Sequence, residues 1–139
     1  MLKQVSIYAE NKKGCFQNIT GILRQNDINI LGSVTNDSAE YGIIRMVVSD
    51  PEKSIEVLRK ADYICKTTPV LAIECPDEVG AFDKILKSLY ESNINVNYTY
   101  LSFNRKSGLP IMVMHTDDVY AVENILINKG YNSVAECEE

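Results

Sequence analysis

The feature that most constrains this chain is that its sequence is written twice. Laid on itself at an offset of 66, residues 5–48 match 71–114 without a gap, and ten of the 44 pairs are identical. These are Ile7/Ile73, Gly14/Gly80, Phe16/Phe82, Ile19/Ile85, Leu23/Leu89, Ile28/Ile94, Asn29/Asn95, Gly42/Gly108, Met46/Met112 and Val47/Val113. Ordinary amino-acid usage would give about three. Most of the shared residues are apolar or glycine, the types a common fold keeps in its core and its turns. Past residue 50 the register slips by one or two, yet Ile55, Leu58 and Tyr63 still find counterparts in Val122, Ile125 and Tyr131. A duplicated sequence predicts a duplicated fold, with domains over 1–68 and 69–139.

Hydrophobic periodicity supplies the elements. Residues 3–9 place Val5, Ile7 and Ala9 on one face and Gln4, Ser6 and Tyr8 on the other, the alternation of a strand. After Gly14, the residues Phe16, Ile19, Ile22 and Leu23 fall at helical spacing, and "QND" at 25–27 ends the run. A second strand is expected over 28–35, a turn over "NDSAEYG" and a third strand over 43–49. Asp50-Pro51 then reads as a helix cap followed by the first helical residue. Ile55 and Leu58 stripe that helix, and a short last strand is expected at 63–67. The second half repeats the plan, with strands at 71–75, 94–103, 110–115 and 131–136 and helices around Phe82–Leu89 and Val122–Leu126.

This order, β-α-β-β-α-β, predicts an α+β chain of two ferredoxin-like domains, each an antiparallel sheet with two helices on one face. A unit of about 65 residues buries only about 60% of its unfolded surface and is marginal by itself. Its second strand also lies on an unpaired sheet edge. Two copies packed edge to edge would answer both problems.

Each half turns from its first strand into its first helix through a glycine, at "ENKKGCF" (10–16) and "PDEVGAF" (76–82). Glycine allows the positive φ such a corner asks for. The next amides then stand at a helix N-terminus, where they favour a carboxylate or phosphate. In the first half these are the N–H groups near Cys15, Phe16 and Gln17; in the second they lie near Ala81, Phe82 and Asp83. Any tight strand-to-helix turn also welcomes glycine, so the corner by itself does not establish a site.

The two corners, in this order of elements, resemble the ACT domain family of small regulatory amino-acid-binding modules. The resemblance lies in "NKKG" at 11–14 and "DEVG" at 77–80, and in "INI" at 28–30 and "INV" at 94–96, where the second strands begin. It spans essentially the whole chain, as two tandem copies without an attached catalytic domain. It implies domains packed side by side through their second strands in an eight-stranded sheet, with a free amino acid between one domain's corner and its neighbour's second strand. On that implication, the first site would set Asn11, Lys12, Lys13, Gly14, Cys15 and Phe16 against Asn95, Val96 and Asn97. The second would set Asp77, Gly80, Ala81 and Phe82 against Asn29, Ile30 and Leu31. A homodimer is likewise implied.

Charge ranks the two corners. Lys12 and Lys13 flank the first and would attract a ligand carboxylate, whereas Asp77 and Glu78 flank the second and would repel one. The first corner is therefore expected to be the tighter site, unless all four are simply solvated loop charges. Tyr98 and Tyr100 could line a pocket or serve only as strand packing. His115 has no partner by spacing and reads as a surface or half-buried histidine.

Other function classes find little support. A net charge of −5, from 14 basic and 19 acidic residues, argues against a nucleic-acid or anionic-membrane surface. No signal peptide or long apolar run is evident, which points to the cytoplasm. Cys15, Cys65, Cys75 and Cys137 are scattered and, with one histidine, offer no metal-ligand spacing, so no metal or cofactor is expected. No nucleophile–base–oxyanion constellation appears. The corners lack the arginine of an acylphosphatase loop and the paired cysteines of a copper chaperone. Two readings remain: a sensor of a free amino acid, or a non-catalytic regulatory subunit or assembly module of a biosynthetic enzyme with no ligand of its own.

Overall fold

The computed structural model of the chain describes residues 1–35 and 41–135. The turn expected over 36–42 and Cys137 thus fall partly or wholly outside the described residues. The chain divides into two compact units, one of Lys3–Thr68 and one of Met1–Leu2 with Pro69 onward. Its elements are β1 (Leu2–Glu10), α1 (Cys15–Gln25), β2 (Ile30–Thr35), β3 (Tyr41–Val48), α2 (Pro51–Lys60), β4 (Ile64–Glu74), α3 (Ala81–Glu91), β5 (Tyr98–Phe103), β6 (Pro110–His115) and α4 (Val119–Asn128).

In the first unit the strand order is β2-β3-β1-β4, and the β1–β3 ladder sets Ile7 against Ile44 and Ala9 against Gly42. Val5, Ile7 and Ala9 face a core completed by Ile19 and Leu23 of α1, Ile55 and Leu58 of α2 and Met46 of β3. The other face of β1 carries Gln4 and Ser6, which are also buried; Gln4 Nε2 donates to Ser6 Oγ at 3.0 Å, and Ser6 Oγ lies 3.0 Å from Thr68 Oγ1. In the second unit the order is β4-β6-β5, and Leu71, Ile73, Ile85, Leu89, Met112, Met114, Val122 and Leu126 form a separate core. Both units carry the ferredoxin-like order of elements.

Two of the eight expected strands are missing as separate elements among the described residues. The strands expected at 63–67 and 71–75 are one strand, β4. Pro69 lacks an N–H, but its fixed φ suits extended backbone and lets the strand run through. The strand expected at 131–136 is reduced, over its described residues, to one antiparallel bridge between Ile73 and Ser133. Hydrogen bonds from Glu74 N–H to the Asn132 carbonyl and from Val134 N–H to the Ala72 carbonyl flank it. β5 also starts later than expected, because 94–97 lead into it rather than belong to it.

The helices begin and end by rule. Asp50 Oδ1 accepts from Lys53 N–H and Asp118 Oδ1 from Ala121 N–H, each at 3.0 Å, capping α2 and α4 alike. Each of the four helices among the described residues ends on a left-handed residue: Asp27, Asp62, Asn93 and Gly130, with φ of 57°, 67°, 57° and 94°. The residue after each (Ile28, Tyr63, Ile94, Tyr131) donates its N–H back to the carbonyl of Leu23, Leu58, Leu89 or Leu126. That closure satisfies otherwise orphaned carbonyls and pins an apolar side chain under the helix end. It also fixes where the next strand sets out.

Candidate functional site

The corner between β1 and α1 is built as its glycine requires. Gly14 caps α1 with φ 88° and ψ −12°, and no side chain caps the helix in its place. Cys15 N–H turns back to the Lys12 carbonyl at 3.2 Å. Asn18 N–H closes the first helical turn on the Gly14 carbonyl at 2.9 Å. The N–H groups of Phe16 and Gln17 lie between these two and have no partner within the helix. Of the three amides named from the sequence, Cys15 is thus spent on the turn, and Phe16 and Gln17 remain for an outside acceptor.

An open cavity of about 820 Å³ lies against this corner, inside the first unit. Its walls bring together Asn11, Lys12, Cys15 and Phe16 with Ala9 and Glu10 of β1. The far wall is Ser33, Val34 and Thr35 of β2 with Gly42 and Ile44 of β3. A second cavity of about 600 Å³ shares Ala9, Glu10, Lys12 and Cys15 with the first and adds Lys13, Gly14, Asn18 and Tyr63 among others. Asn18 Nδ2 donates to Tyr63 Oη across it at 2.6 Å.

Sequence reasoning missed the β2–β3 wall. The available signal was Gly42, identical to Gly108 in the repeat and set opposite Ala9 in the ladder. Two small residues face to face leave the core unfilled at this end of the sheet.

The charges are not arranged as the sequence suggested. Lys12 Nζ lies 3.0 Å from Glu10 Oε2, and the hydrogen bond to that carboxylate raises the lysine's pKa above its ordinary value. Half of the expected positive charge is therefore already matched by the protein. Lys13 is exposed and forms no ion pair among the described residues.

Comparison with known proteins gives this architecture a family. The model of the ACT domain pair matches residues 1–138. The chain belongs to the ACT domain pair family. Among solved structures, it resembles protein BT0572 from Bacteroides thetaiotaomicron at 29% identity and a TM-score of 0.89, over 98% of this chain and 93% of that one. It also resembles the ligand-free regulatory subunit of aspartate kinase from Thermus thermophilus, at 9% identity and a TM-score of 0.65, over 91% of each chain. The corresponding subunit from Thermus flavus gives 12% identity and a TM-score of 0.57, over 92% of this chain and 93% of that one. At such identities the two aspartate kinase subunits speak for the fold alone. No curated protein matches the sequence.

The second ACT corner has the same backbone and different surroundings. Gly80 caps α3 with φ 85° and ψ −3°, Ala81 N–H turns back to Glu78 at 3.3 Å, and Lys84 N–H closes on Gly80 at 3.0 Å. Ala81, however, is buried, and Phe82 packs against the second core, whereas Phe16 is 44% exposed. Asp83 stands in the first turn of α3, where α1 has no acid, and adds to the negative charge of exposed Asp77 and Glu78.

The residues expected opposite the corners lie at the entries to β2 and β5. Asn29 gives both its N–H and its carbonyl to Ser49, at 2.9 Å each; Ile30 packs against the first core, and Leu31 sits at a register shift in β2. Val96 packs against the second core. Asn97 donates its backbone N–H to the His115 carbonyl at 2.9 Å, and its Nδ2 lies 3.1 Å from His115 Nδ1 and 3.0 Å from Asp117 Oδ1. Asn95 Nδ2 donates to Asn97 Oδ1 at 3.2 Å. His115, unpartnered by spacing, also stacks on Tyr98 with ring centroids 5.1 Å apart and planes 6° from parallel. Tyr100 is buried. Among the described residues no helix is long and apolar enough to cross a membrane.

Proposed function

We propose that this ACT domain pair is a non-catalytic regulatory protein that senses a free amino acid, and that the corner of Gly14 receives the ligand. The observation that carries the reading is the 820 Å³ cavity walled by Asn11, Lys12, Cys15 and Phe16, beside amides with no partner in the helix. A ligand carboxylate takes up the N–H groups of Phe16 and Gln17 at the positive end of α1, with exposed Lys13 nearby. Glu10 holds Lys12 through Oε2, which leaves its other carboxylate oxygen for the ligand's ammonium group. The second corner presents the same backbone to three acids and a buried Ala81, a poorer place for an anion.

Ligand binding changes the protein's behaviour only through different affinities for two arrangements of it or its assemblies. Among the described strands β2 pairs with β3 and β5 with β6, each at the end of the strand order, a position that supports assembly with a second copy. An enzyme of amino-acid biosynthesis is the partner class that such a sensor would serve.

A thermal-shift screen of the full chain against the common amino acids tests the reading. At one hundred times its dissociation constant, a ligand of the native state adds about 2.7 kcal/mol. For a chain of this size that raises the melting temperature by several degrees. A chain indifferent to every amino acid that still co-purifies with an enzyme is an assembly module and not a sensor.

A further inference from the structure

The repeat supplies an internal comparison for the strand across the cavity from the first corner. Residues opposite one another in an antiparallel ladder share a face of the sheet. Ser33 lies opposite Met46 and Thr35 opposite Ile44, and both partners belong to the first core. The two hydroxyl side chains therefore stand on the helix-facing side of β2, whereas Val34, opposite Arg45, stands on the other. Ala9 and Ile44 share the hydroxyls' face but are only 7% and 6% exposed, while Ser33 and Thr35 are exposed. What this wall still offers to a ligand is mainly hydroxyl. At the repeat offset the counterparts are Thr99 and Leu101. Thr99 Oγ1 donates to the Val113 carbonyl at 2.8 Å, and leucine has no polar group to offer. Ser33 and Thr35 make no side-chain hydrogen bond among the described residues. The second copy uses up or omits what the first keeps free at the same two positions.

We propose that Ser33 and Thr35 are the specificity-determining residues of the first corner, and that the amino acid they select carries an uncharged hydrogen-bonding side chain, a hydroxyl or a carboxamide. This deepens the reading of that corner as an amino-acid site and rests on it. The cavity runs from the α1 corner to β2, so a ligand held by its carboxylate at the first wall sets its side chain against the second. A hydroxyl or carboxamide both donates and accepts, and so pairs with either protein hydroxyl. An aliphatic side chain would shield the two hydroxyls from water and give them no partner in return. A charged one would meet no opposite charge on that wall, whose described residues are Ser33, Val34, Thr35, Gly42 and Ile44; Glu10 and Lys12 are paired at 3.0 Å on the corner side.

The test is titration calorimetry on the full chain with near-isosteric pairs: serine and alanine, threonine and valine, asparagine and leucine, glutamine and methionine. Aspartate, glutamate and lysine complete the series, which is repeated on Ser33→Ala, Thr35→Val and the chain carrying both substitutions. A neutral polar amino acid should bind tightest, about tenfold or more ahead of its apolar isostere. The doubly substituted chain should lose most of that lead, while its affinity for the apolar isostere hardly changes. Both side chains are exposed, so ligand-free melting should move by about 3 °C or less in each variant. Two results overturn the inference and leave the sensor standing: a tightest ligand with an apolar or charged side chain, or a polar ligand whose lead over its isostere survives the double substitution. If none of the common amino acids stabilises the chain in the thermal-shift screen, the inference and the sensor fall together.

Discussion

Substituting the two corner glycines separates folding from binding. Gly14 and Gly80 adopt φ of 88° and 85°, and a Cβ added to either would meet no atom within 4 Å. Alanine therefore costs conformational energy at both sites and causes no clash at either, about 1–2 kcal/mol for a left-handed L-residue. A destabilisation of 1 kcal/mol lowers melting by about 4–8 °C in a unit of this size. Gly14→Ala and Gly80→Ala should thus melt lower than the parent by similar amounts when no ligand is present. With ligand they should part. Relaxing φ at position 14 swings the Phe16 and Gln17 amides away from the carboxylate, and a hydrogen bond to a charged group is worth about 1.5–3 kcal/mol. Gly14→Ala should lose tenfold to over a hundredfold in affinity, at 1.4 kcal/mol per factor of ten, and Gly80→Ala should lose little. Scanning calorimetry without ligand and titration calorimetry well below the transition read the two effects independently. Gly14→Asn adds a control, since asparagine enters the left-handed region more readily than alanine and should recover part of the lost stability. Equal affinity losses from the two alanines would refute the assignment of the ligand to the first corner. Clearly unequal ligand-free melting would refute the claim that the two backbones are equivalent.

Three further expectations concern stability. Phe82→Ala should destabilise by about 1–2 kcal/mol more than Phe16→Ala, a fraction of the 3–5 kcal/mol for a fully buried ring; denaturant titration checks it, and equal losses would mean Phe82 is not packed. Asp50→Ala and Asp118→Ala should each cost about 1 kcal/mol, because each removes the acceptor for one helix-end N–H; circular dichroism during thermal melts reads both. Burial pushes the thiols of Cys65 and Cys75 up from 9.0, with Asp77 and Glu78 adding to the shift at Cys75 and Arg59 opposing it at Cys65. A folded-state value above the unfolded one means the native state holds its protons longer. The stability these thiols contribute is complete below about pH 9 and is lost as pH rises through their elevated values. Half-buried Cys15 should be alkylated by iodoacetamide well before Cys65 or Cys75, and simultaneous labelling of the three would show the cores to be open.

The duplication made the element order readable because the ten shared residues are mostly core and turn residues, whose burial pattern recurs when the fold recurs. Val5, Ile7, Ile19, Leu23, Ile55 and Leu58 do line one core, and Asp50 does cap α2. The fused strand β4 was hidden because Pro69 usually marks an end, and sequence pattern does not distinguish a proline that breaks a strand from one whose φ fits it. The left-handed helix ends at Asp27, Asp62 and Asn93 were hidden because "QND" reads only as a stop, whereas the hydrogen bond that closes each end depends on the backbone beyond it. At the corner, the glycine and its amides were legible. The β2–β3 wall was not, since which residue of a strand meets a helix end across a ladder depends on register. The Glu10–Lys12 pair was equally out of reach, because Lys12 lies in the turn beyond β1, where strand alternation no longer says which way a side chain points.

Identity and difference between the two copies carry different information. The backbone of a strand–glycine–helix corner is demanded by the fold, so both copies keep Gly14 and Gly80 whatever either one binds. Affinity for a ligand needs something the fold does not supply, namely space beside the amides and a charge balance that accepts an anion. The space is decided at pairs that differ: Ala9 against Cys75, Cys15 against Ala81, and Thr20 against Leu86. In the second copy these choices seat Phe82 on the core; in the first they leave Phe16 standing over a cavity. The charge is decided at pairs that differ as well, Asn11 against Asp77, Lys13 against Val79 and Gln17 against Asp83, while Lys12, the counterpart of Glu78, is matched by Glu10. Both sets of differences favour the same copy. Differences at positions free of function should scatter in sign, and the agreement of two independent sets is the physical argument for placing the ligand beside Gly14.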